Sequence, residues 1–293
     1  NKGVIMRKII TLMLAAFLVV PSVLFAQPEV PVEKWTGKTI LLIGAHPDDD
    51  GGSHGTLAKL QANGNQVYVM LLTTGNVGTS DPTMTRDQLS KIRRQEEVDA
   101  LKELGIPEDH YINLGYTDGM LEFADKEEVV KQMVYWIRKL KPTTLMGFDP
   151  GYGYQQWPKA DHRTAAYLTV DAARAAEWRL IFPSQIINQG LEEHSVSDYL
   201  FYSSTGDGQN TVVDISDFAE NKVRSLSKYI SQFTSAFKNY TGPNPSDLPG
   251  NEGKEFVERM RQRVFERGTL NGKQIERFRY YKGAPDGAGS RRN

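Results

Sequence analysis

The sequence predicts a three-layer α/β fold, a doubly wound and mostly parallel sheet with helices on both faces. Three observations carry this expectation. Apolar runs of strand length recur at Thr39 to Ile43, Gln66 to Thr73, His110 to Leu114 and Thr143 to Phe148. Segments of helical spacing lie between them. Each run then ends in a loop rich in Gly, Asp or His, which is where open α/β sheets place ligand-binding groups. Right-handed crossovers bring such loops to one rim, in a Rossmann-like arrangement.

Taken in order, the chain opens with Arg7-Lys8, an apolar run from Ile9 to Val20, and Pro21 to Ala26 before Gln27. A basic segment, an apolar segment and a small residue before a cut form the layout of a secretory signal. The run is shorter than the roughly 20 residues that span a bilayer, so no membrane span is expected after cleavage. Asn1 to Ile5 precede a plausible initiator Met6 and read as upstream sequence. Residues 27–283 read as one domain and 284–293 as a flexible tail. The expected location is secreted or periplasmic.

Residues 1–26 hold Lys2, Arg7 and Lys8 and no acid, so 32 basic side chains face 36 acidic ones in the remainder, a net of −4. That charge offers nothing to nucleic acid or anionic lipid. The chain has no cysteine, which excludes disulfides, thiolate ligands and cysteine nucleophiles.

Gln27 to Gly37 reads as an extended lead-in, followed by the strand from Thr39. Thr56 to Ala62 has helical spacing, with Asn63-Gly64 as its stop. Gln66 to Thr73 completes a β-α-β unit, and Thr74 to Thr79 forms a polar loop on the same edge. A helix is expected from about Thr85 to Leu104, closed by Gly105. Its Arg93, Arg94, Glu96 and Glu97 read on spacing alone as a solvated charged face. The strand at His110 to Leu114 leads into Gly115 to Gly119. A helix follows from Lys126 to Leu140, ended by Pro142. The strand to Phe148 runs into Asp149-Pro150-Gly151 and the aromatic loop of Tyr152, Tyr154 and Trp157, which suits stacking on sugar faces and loop packing alike. Lys159 to Arg163 open an Ala-rich helix from about His162 to Arg174. Tyr199 to Ser204 and Thr211 to Ile215 read as later strands, in the manner of antiparallel edges. Helices are expected from Ser216 to about Gln232 and near Glu252 to Arg267.

The chemistry concentrates at Ala45-His46-Pro47-Asp48-Asp49-Asp50. A zinc-like cation takes imidazole nitrogen and carboxylate oxygen, and a catalytic site keeps three protein ligands and a water. His46 and Asp49, three apart in a tight turn, can face one point while Asp48 projects elsewhere and stays free as a general base. The third ligand must come from farther along. Among His54, His110, His162 and His194, position on the rim favours His162, while His54 falls near a helix start. His110 and His194 read as structural or solvated.

Ala45-His46-Pro47-Asp48-Asp49 after a buried strand, Arg93-x-x-Glu96, Leu114 to Gly119, Phe148-Asp149-Pro150 and Asp161-His162-Arg163 occur in this order. Together they resemble the PIG-L (LmbE-like) family of zinc-dependent sugar N-deacetylases, over about Lys38 to Asp171 and more weakly from Val213-Asp214-Ile215 through Lys222 to Ser231-Gln232. The resemblance implies Zn2+, or another divalent metal, on His46, Asp49 and His162, with Asp48 as general base. It implies that Arg93 and Asp118 line the substrate pocket, and Tyr154 joins them as a candidate from the aromatic loop. The implied reaction is hydrolysis of the N-acetyl amide of a small-molecule or glycoconjugate substrate of the N-acetylglucosamine type, with acetate released.

Two positions depart from the family pattern. Relatives commonly carry His-Pro-Asp-His where this chain has Lys159-Ala160-Asp161-His162, so Lys159 is a candidate catalytic charge or the role is vacant. Relatives also carry Glu after the two aspartates, where this chain has Asp50 and a shorter turn, which opens the way to a different substrate. The alternatives are a non-catalytic carbohydrate-binding protein of the same fold and a metal-dependent amidase or esterase with a non-sugar substrate.

Overall fold

A computed structural model describes residues 27–151, 159–203, 208–236, 248 and 250–283. The aromatic loop residues Tyr152, Tyr154 and Trp157, the leading residues 1–26 and the tail 284–293 lie outside them. At the centre, β1 (Thr39–Gly44) is flanked in parallel by β2 (Gln66–Thr73) and β4 (Thr144–Phe148). Next to β2 lies β3 (Tyr111–Tyr116), and next to β4 lies β5 (Asp198–Tyr202), both parallel to their neighbours. Ile40, Leu41, Leu42 and Ile43 of β1 are all fully buried, as a strand covered on both faces requires.

With β6 (Thr211–Asp214) and β8 (Lys273–Lys282) added, the strand order is β3-β2-β1-β4-β5-β8-β6. The chain therefore winds one way from β1 to β3 and the other way from β4 to β5. The reversal leaves a crevice at the carboxyl ends of β1 and β4, the usual ligand position of such sheets. Right-handed crossovers place the intervening helices on opposite faces: α1 (His54–Ala62) and α2 (Arg86–Glu103), then α3 (Lys126–Leu140) and α4 (Ala160–Ala176). Local chemistry fixes their ends. Thr85 and Gln88 form a reciprocal capping box at α2, and the Asp125 carboxylate accepts the N–H groups of Glu127 and Glu128 at α3. Gly64 and Gly105, at φ +84° and +77°, follow α1 and α2 in the left-handed region that glycine tolerates best.

The last third departs from the expectation. Rather than an antiparallel edge, β5 is an interior parallel strand, because β8 (Lys273–Lys282) covers its far side. The antiparallel partners of β8 are β6 (Thr211–Asp214) and the short β7 (Thr269–Leu270). The helix expected to run from Ser216 to Gln232 is divided into α6 (Ala219–Leu226) and a 3-10 segment, Ile230–Ala236. After the short α5 (Pro183–Ile187) and α6, the last helix is α7 (Glu252–Arg267). Both α1 and α2 pack on α6, which packs in turn on α7.

One buried cation fixes the end of α4 remote from the crevice. Arg138 of α3 is fully buried and donates to the carbonyls of Trp178 at 2.8 Å, Ile181 at 3.0 Å and Ala176 at 3.3 Å. Its Nη1 also meets the side-chain oxygen of Gln185 at 3.1 Å. A cation there complements the carbonyl end of α4 and holds the segment that follows it. Arg138→Ala strands these acceptors, and a loss of about 3 kcal/mol or more is expected in chemical denaturation. A change under about 1 kcal/mol would mean that water replaces the guanidinium.

Candidate metal centre and active site

The turn after β1 is built on an unusual backbone. Asp48 sits at φ +107°, ψ −16°, a left-handed conformation rare outside glycine. Its N–H donates to Glu97 Oε2 at 3.1 Å, and its carbonyl accepts the N–H of Gly51 at 3.0 Å. The carbonyl of Pro47 accepts from Nη2 of Arg93. The two adjacent carboxylates consequently diverge. Asp49 turns back, with Oδ2 accepting the N–H groups of Ala45 and His46 at 3.0 and 2.7 Å, while Oδ1 lies 3.0 Å from His162 Nε2. Asp48 points the other way, with Oδ1 3.3 Å from Arg93 Nη2.

His46, Asp49 and His162 each offer a donor atom within 4.8 Å of the others. His46 has its Nδ1 3.2 Å from Asp49, while its Nε2 faces Asp118 at 3.0 Å and Asp161 at 3.2 Å. His46, Asp118 and Asp161 meet the same 4.8 Å spacing. The first group is the one with the imidazole-rich donor set of a catalytic zinc site. Asp118 and Asp161 then stand where carboxylates orient a ligating imidazole through its other nitrogen. Asp161 is itself held by the N–H groups of Gly119 at 2.7 Å and Leu121 at 3.1 Å.

Electrostatics favour a cation among these residues. Burial opposes protonation of His46, yet the Asp49 charge and the bonds to Asp118 and Asp161 raise it far above the usual imidazole range. Burial alone would raise Asp49, but His46 and His162 hold it well below the ordinary carboxylate range. For Asp48 the direction is upward, from burial and from the repulsion of Asp49 and Asp50, with Arg93 and His46 opposing it. A centre that draws a proton onto imidazole so strongly has charge to offer a divalent ion instead. The donor set and this excess of acid fit such an ion.

A cavity of about 310 Å³ opens over the centre. His46, Asp48, Asp49 and His162 line it, together with Arg93, Asp118 and Lys159. Lys159 is exposed and precedes the first turn of α4, which begins at Ala160 rather than at His162; its carbonyl accepts the N–H of Arg163 at 3.2 Å. Asp161 and Gln232 also line this cavity. The resemblance includes both, Asp161 beside His162 and Gln232 at the end of its weaker C-terminal part, but gives neither a role of its own. Tyr154 falls outside the described residues.

The charged run of α2 is a correction to the reading from spacing. Arg94 is exposed and pairs with Glu108 at 2.8 Å, but Arg93, Glu96 and Glu97 are buried. Arg93 also donates to the Gly75 carbonyl at 3.1 Å and approaches Asp118 at 3.9 Å. Glu96 accepts both the N–H and the hydroxyl of Ser231 at 2.6 Å. Glu97 accepts the Tyr229 hydroxyl at 3.0 Å. His54, fully buried, lies 3.0 Å from Asp50 and 2.7 Å from the Ser225 hydroxyl. His110 bonds the Val67 carbonyl and His194 the Pro142 carbonyl, both away from the cavity.

Residues 41–173 match the family model described as PIG-L, GlcNAc-PI de-N-acetylase. Diacetylchitobiose deacetylase of Thermococcus kodakarensis is 36% identical over 197 residues, 67% of this chain and 70% of the relative. The chain belongs to the PIG-L family. A 1D-myo-inositol 2-acetamido-2-deoxy-alpha-D-glucopyranoside deacetylase of Streptomyces scabiei is 30% identical over 50% of this chain and 53% of its own length. Among solved structures, N,N'-diacetylchitobiose deacetylase from Pyrococcus horikoshii, complexed with its inhibitor MPG, superposes with a TM-score of 0.67. Its identity is 27%, and 83% of each chain is covered.

The PIG-L Arg-x-x-Glu pair supplies a pH prediction. Burial pushes Glu96 from 4.5 up to about 7, against the opposing Ser231 bonds and the Arg93 charge. A carboxyl raised on folding contributes stability that is complete below the unfolded value and is lost as pH rises to the folded one. Between pH 4.5 and about 7 this group should remove on the order of 3 kcal/mol. Glu96→Gln should flatten that part of the stability profile in urea titrations. An unchanged slope would assign it to another group.

Proposed function

We propose that this PIG-L protein is a zinc-dependent hydrolase that removes the N-acetyl group of an acetylated amino sugar or glycoconjugate. The observation that carries the reading is the divergence of two adjacent carboxylates at one turn, Asp49 toward two imidazoles and Asp48 free beside Arg93. The deacetylase names of the relatives support it.

His46, Asp49 and His162 would hold the ion, which supplies Lewis acidity and lowers the pKa of a bound water. The remaining work belongs to the chain. Asp48 takes the proton of the water that attacks the acetyl carbon and returns it to the departing amine nitrogen. Arg93 keeps the Asp48 carboxyl oriented, and its own place is fixed by the Pro47 and Gly75 carbonyls. Asp118 lies at the cavity wall with Oδ1 3.0 Å from His46 Nε2 and Oδ2 accepting the Gly78 N–H at 3.2 Å, and offers its remaining lone pairs to sugar hydroxyls. Lys159 brings a positive charge to the side where His162 enters, suited to an oxygen on which negative charge develops.

Two experiments test these roles. Asp48→Ala should retain zinc while acetate release falls about 10²–10⁴-fold, whereas His46→Ala, Asp49→Ala and His162→Ala should each lose bound zinc by elemental analysis. Near-normal turnover of Asp48→Ala would remove it from proton transfer. Separately, Lys159→Ala should lower kcat about tenfold or more with little change in KM. A rate within a few-fold of the parent would make Lys159 a bystander and leave the position vacant.

A further inference from the structure

The turn that carries Asp48 and Asp49 continues into a 3-10 segment, Asp49–Ser53, and then into α1. Its backbone supplies little stiffness of its own. Gly51 and Gly52 lie at its centre, and glycine has the most conformational freedom to lose on folding. A Cβ at Gly52 would meet nothing within 4 Å, so no neighbour packs against that residue there.

Asp50 and His54 close this segment from within. Both are fully buried, and neither lines the cavity over the metal centre. Asp50 Oδ2 lies 3.0 Å from His54 Nε2, four residues on and across the glycine pair. The other ring nitrogen is engaged elsewhere. The Ser225 hydroxyl donates to the Lys222 carbonyl at 3.0 Å, so its oxygen accepts from Nδ1–H of His54 at 2.7 Å. With Nδ1 donating to α6, Nε2 is the atom left to face the carboxylate. Among the described residues His54 is the basic side chain paired with Asp50, since Arg93 goes to Asp48 and Asp118.

We propose that His54 is a positioning residue for the metal centre and the general base, acting through Asp50. The imidazole holds the Asp50 end of the turn, while Glu97 holds the other end by accepting the Asp48 N–H at 3.1 Å. Asp48 and Asp49 stand between the two ties. Without Nε2, Asp50 becomes a buried carboxylate with no basic partner, and the glycine-rich segment yields to carry it toward water. Its two neighbours in the chain move with it. The departure from the family pattern at Asp50 is then an internal one, a shorter carboxylate meeting an imidazole away from the substrate cavity. The effect on Asp48 as base rests on the deacetylase reading. The effect on Asp49 and its metal does not.

Two amide variants separate the ring nitrogens. In His54→Gln the side-chain nitrogen reaches the place of Nε2 and still donates to Asp50; in His54→Asn it reaches that of Nδ1 and keeps only Ser225. Zinc affinity is measured on the whole protein by competition with a chromophoric chelator. Rates of acetate release are measured at saturating zinc, with the acetylated amino sugar that the parent turns over best. His54→Asn should weaken zinc and lower kcat about tenfold each, with KM within about twofold. His54→Gln should stay within about threefold of the parent in all three, and urea denaturation checks that both variants are folded. Loss in both amide variants, loss in His54→Gln alone, or loss in neither overturns the assignment. Asp50→Ala supplies an independent route. Alone it should repeat the loss seen in His54→Asn, and combined with that change it should add little, because both remove one contact. Losses that multiply, or none in Asp50→Ala, overturn the coupling, and Asp50→Ala alone decides if His54→Asn does not fold. A parent that releases acetate from no sugar overturns the deacetylase reading instead, while the zinc affinities still decide the role of His54.

Discussion

The guanidinium of Arg93 is the contact on which the acid-rich crevice depends. Asp48, Asp49, Asp118 and Asp161 converge there, and repulsion among four carboxylates would spread the loops that carry them. Arg93, 3% exposed, reaches Asp48 at 3.3 Å and Asp118 at 3.9 Å while donating to the backbone carbonyls of Pro47 and Gly75. It thereby joins the loops after β1, β2 and β3 to one rigid point on α2. Gly75 is at φ +63°, and a Cβ there would lie 2.5 Å from Nη1 of Arg93. The backbone approaches the guanidinium this closely because no side chain stands between them.

The spacing within α2 extends the same logic. Residues three and four apart share a helix face, so Arg93, Glu96 and Glu97 meet the turn together. Glu97 satisfies the N–H of Asp48, and Tyr229 satisfies Glu97. Glu96 binds Ser231, and Ser225 binds His54, which faces Asp50. The left-handed backbone at Asp48 costs about 1–3 kcal/mol for a non-glycine residue, and this buried network is the surrounding structure that over-determines it. Three of its members, Ser225, Tyr229 and Ser231, come from beyond residue 173, where the family match ends. The C-terminal third is therefore part of the site's support.

The crevice was legible in the sequence because its signals are local. An apolar run that stops at imidazole and carboxylate identifies both a buried strand and the chemistry at its end, and the alternation of strands with helices implies a mostly parallel, doubly wound sheet. The face of α2 was not legible in the same way. A run of Arg and Glu describes a solvated surface unless something covers it, and the covering residues lie more than a hundred positions later. The strand β8 was hidden for a related reason. Its inward Gln274 and Glu276 break the expected apolar alternation; Gln274 donates to the Thr269 hydroxyl, and Glu276 caps α1 and pairs with Lys222. Long-range pairing converts charged residues into interior ones, and no local period records it.

The turn after β1 assigns its carboxylates by backbone geometry rather than by residue type. Asp49 has one oxygen fixed by two backbone N–H groups, so its other oxygen is directed at His162 and little freedom remains. Asp48 makes no such return. Its positive φ turns the side chain away from the two imidazoles and toward Arg93, at the wall of the cavity over them. A ligand needs a fixed atom, and a proton carrier needs access to both water and amine. In the proposed reaction two chemically identical side chains would meet these opposite demands because the backbone of Asp48 is held in a left-handed conformation rare outside glycine.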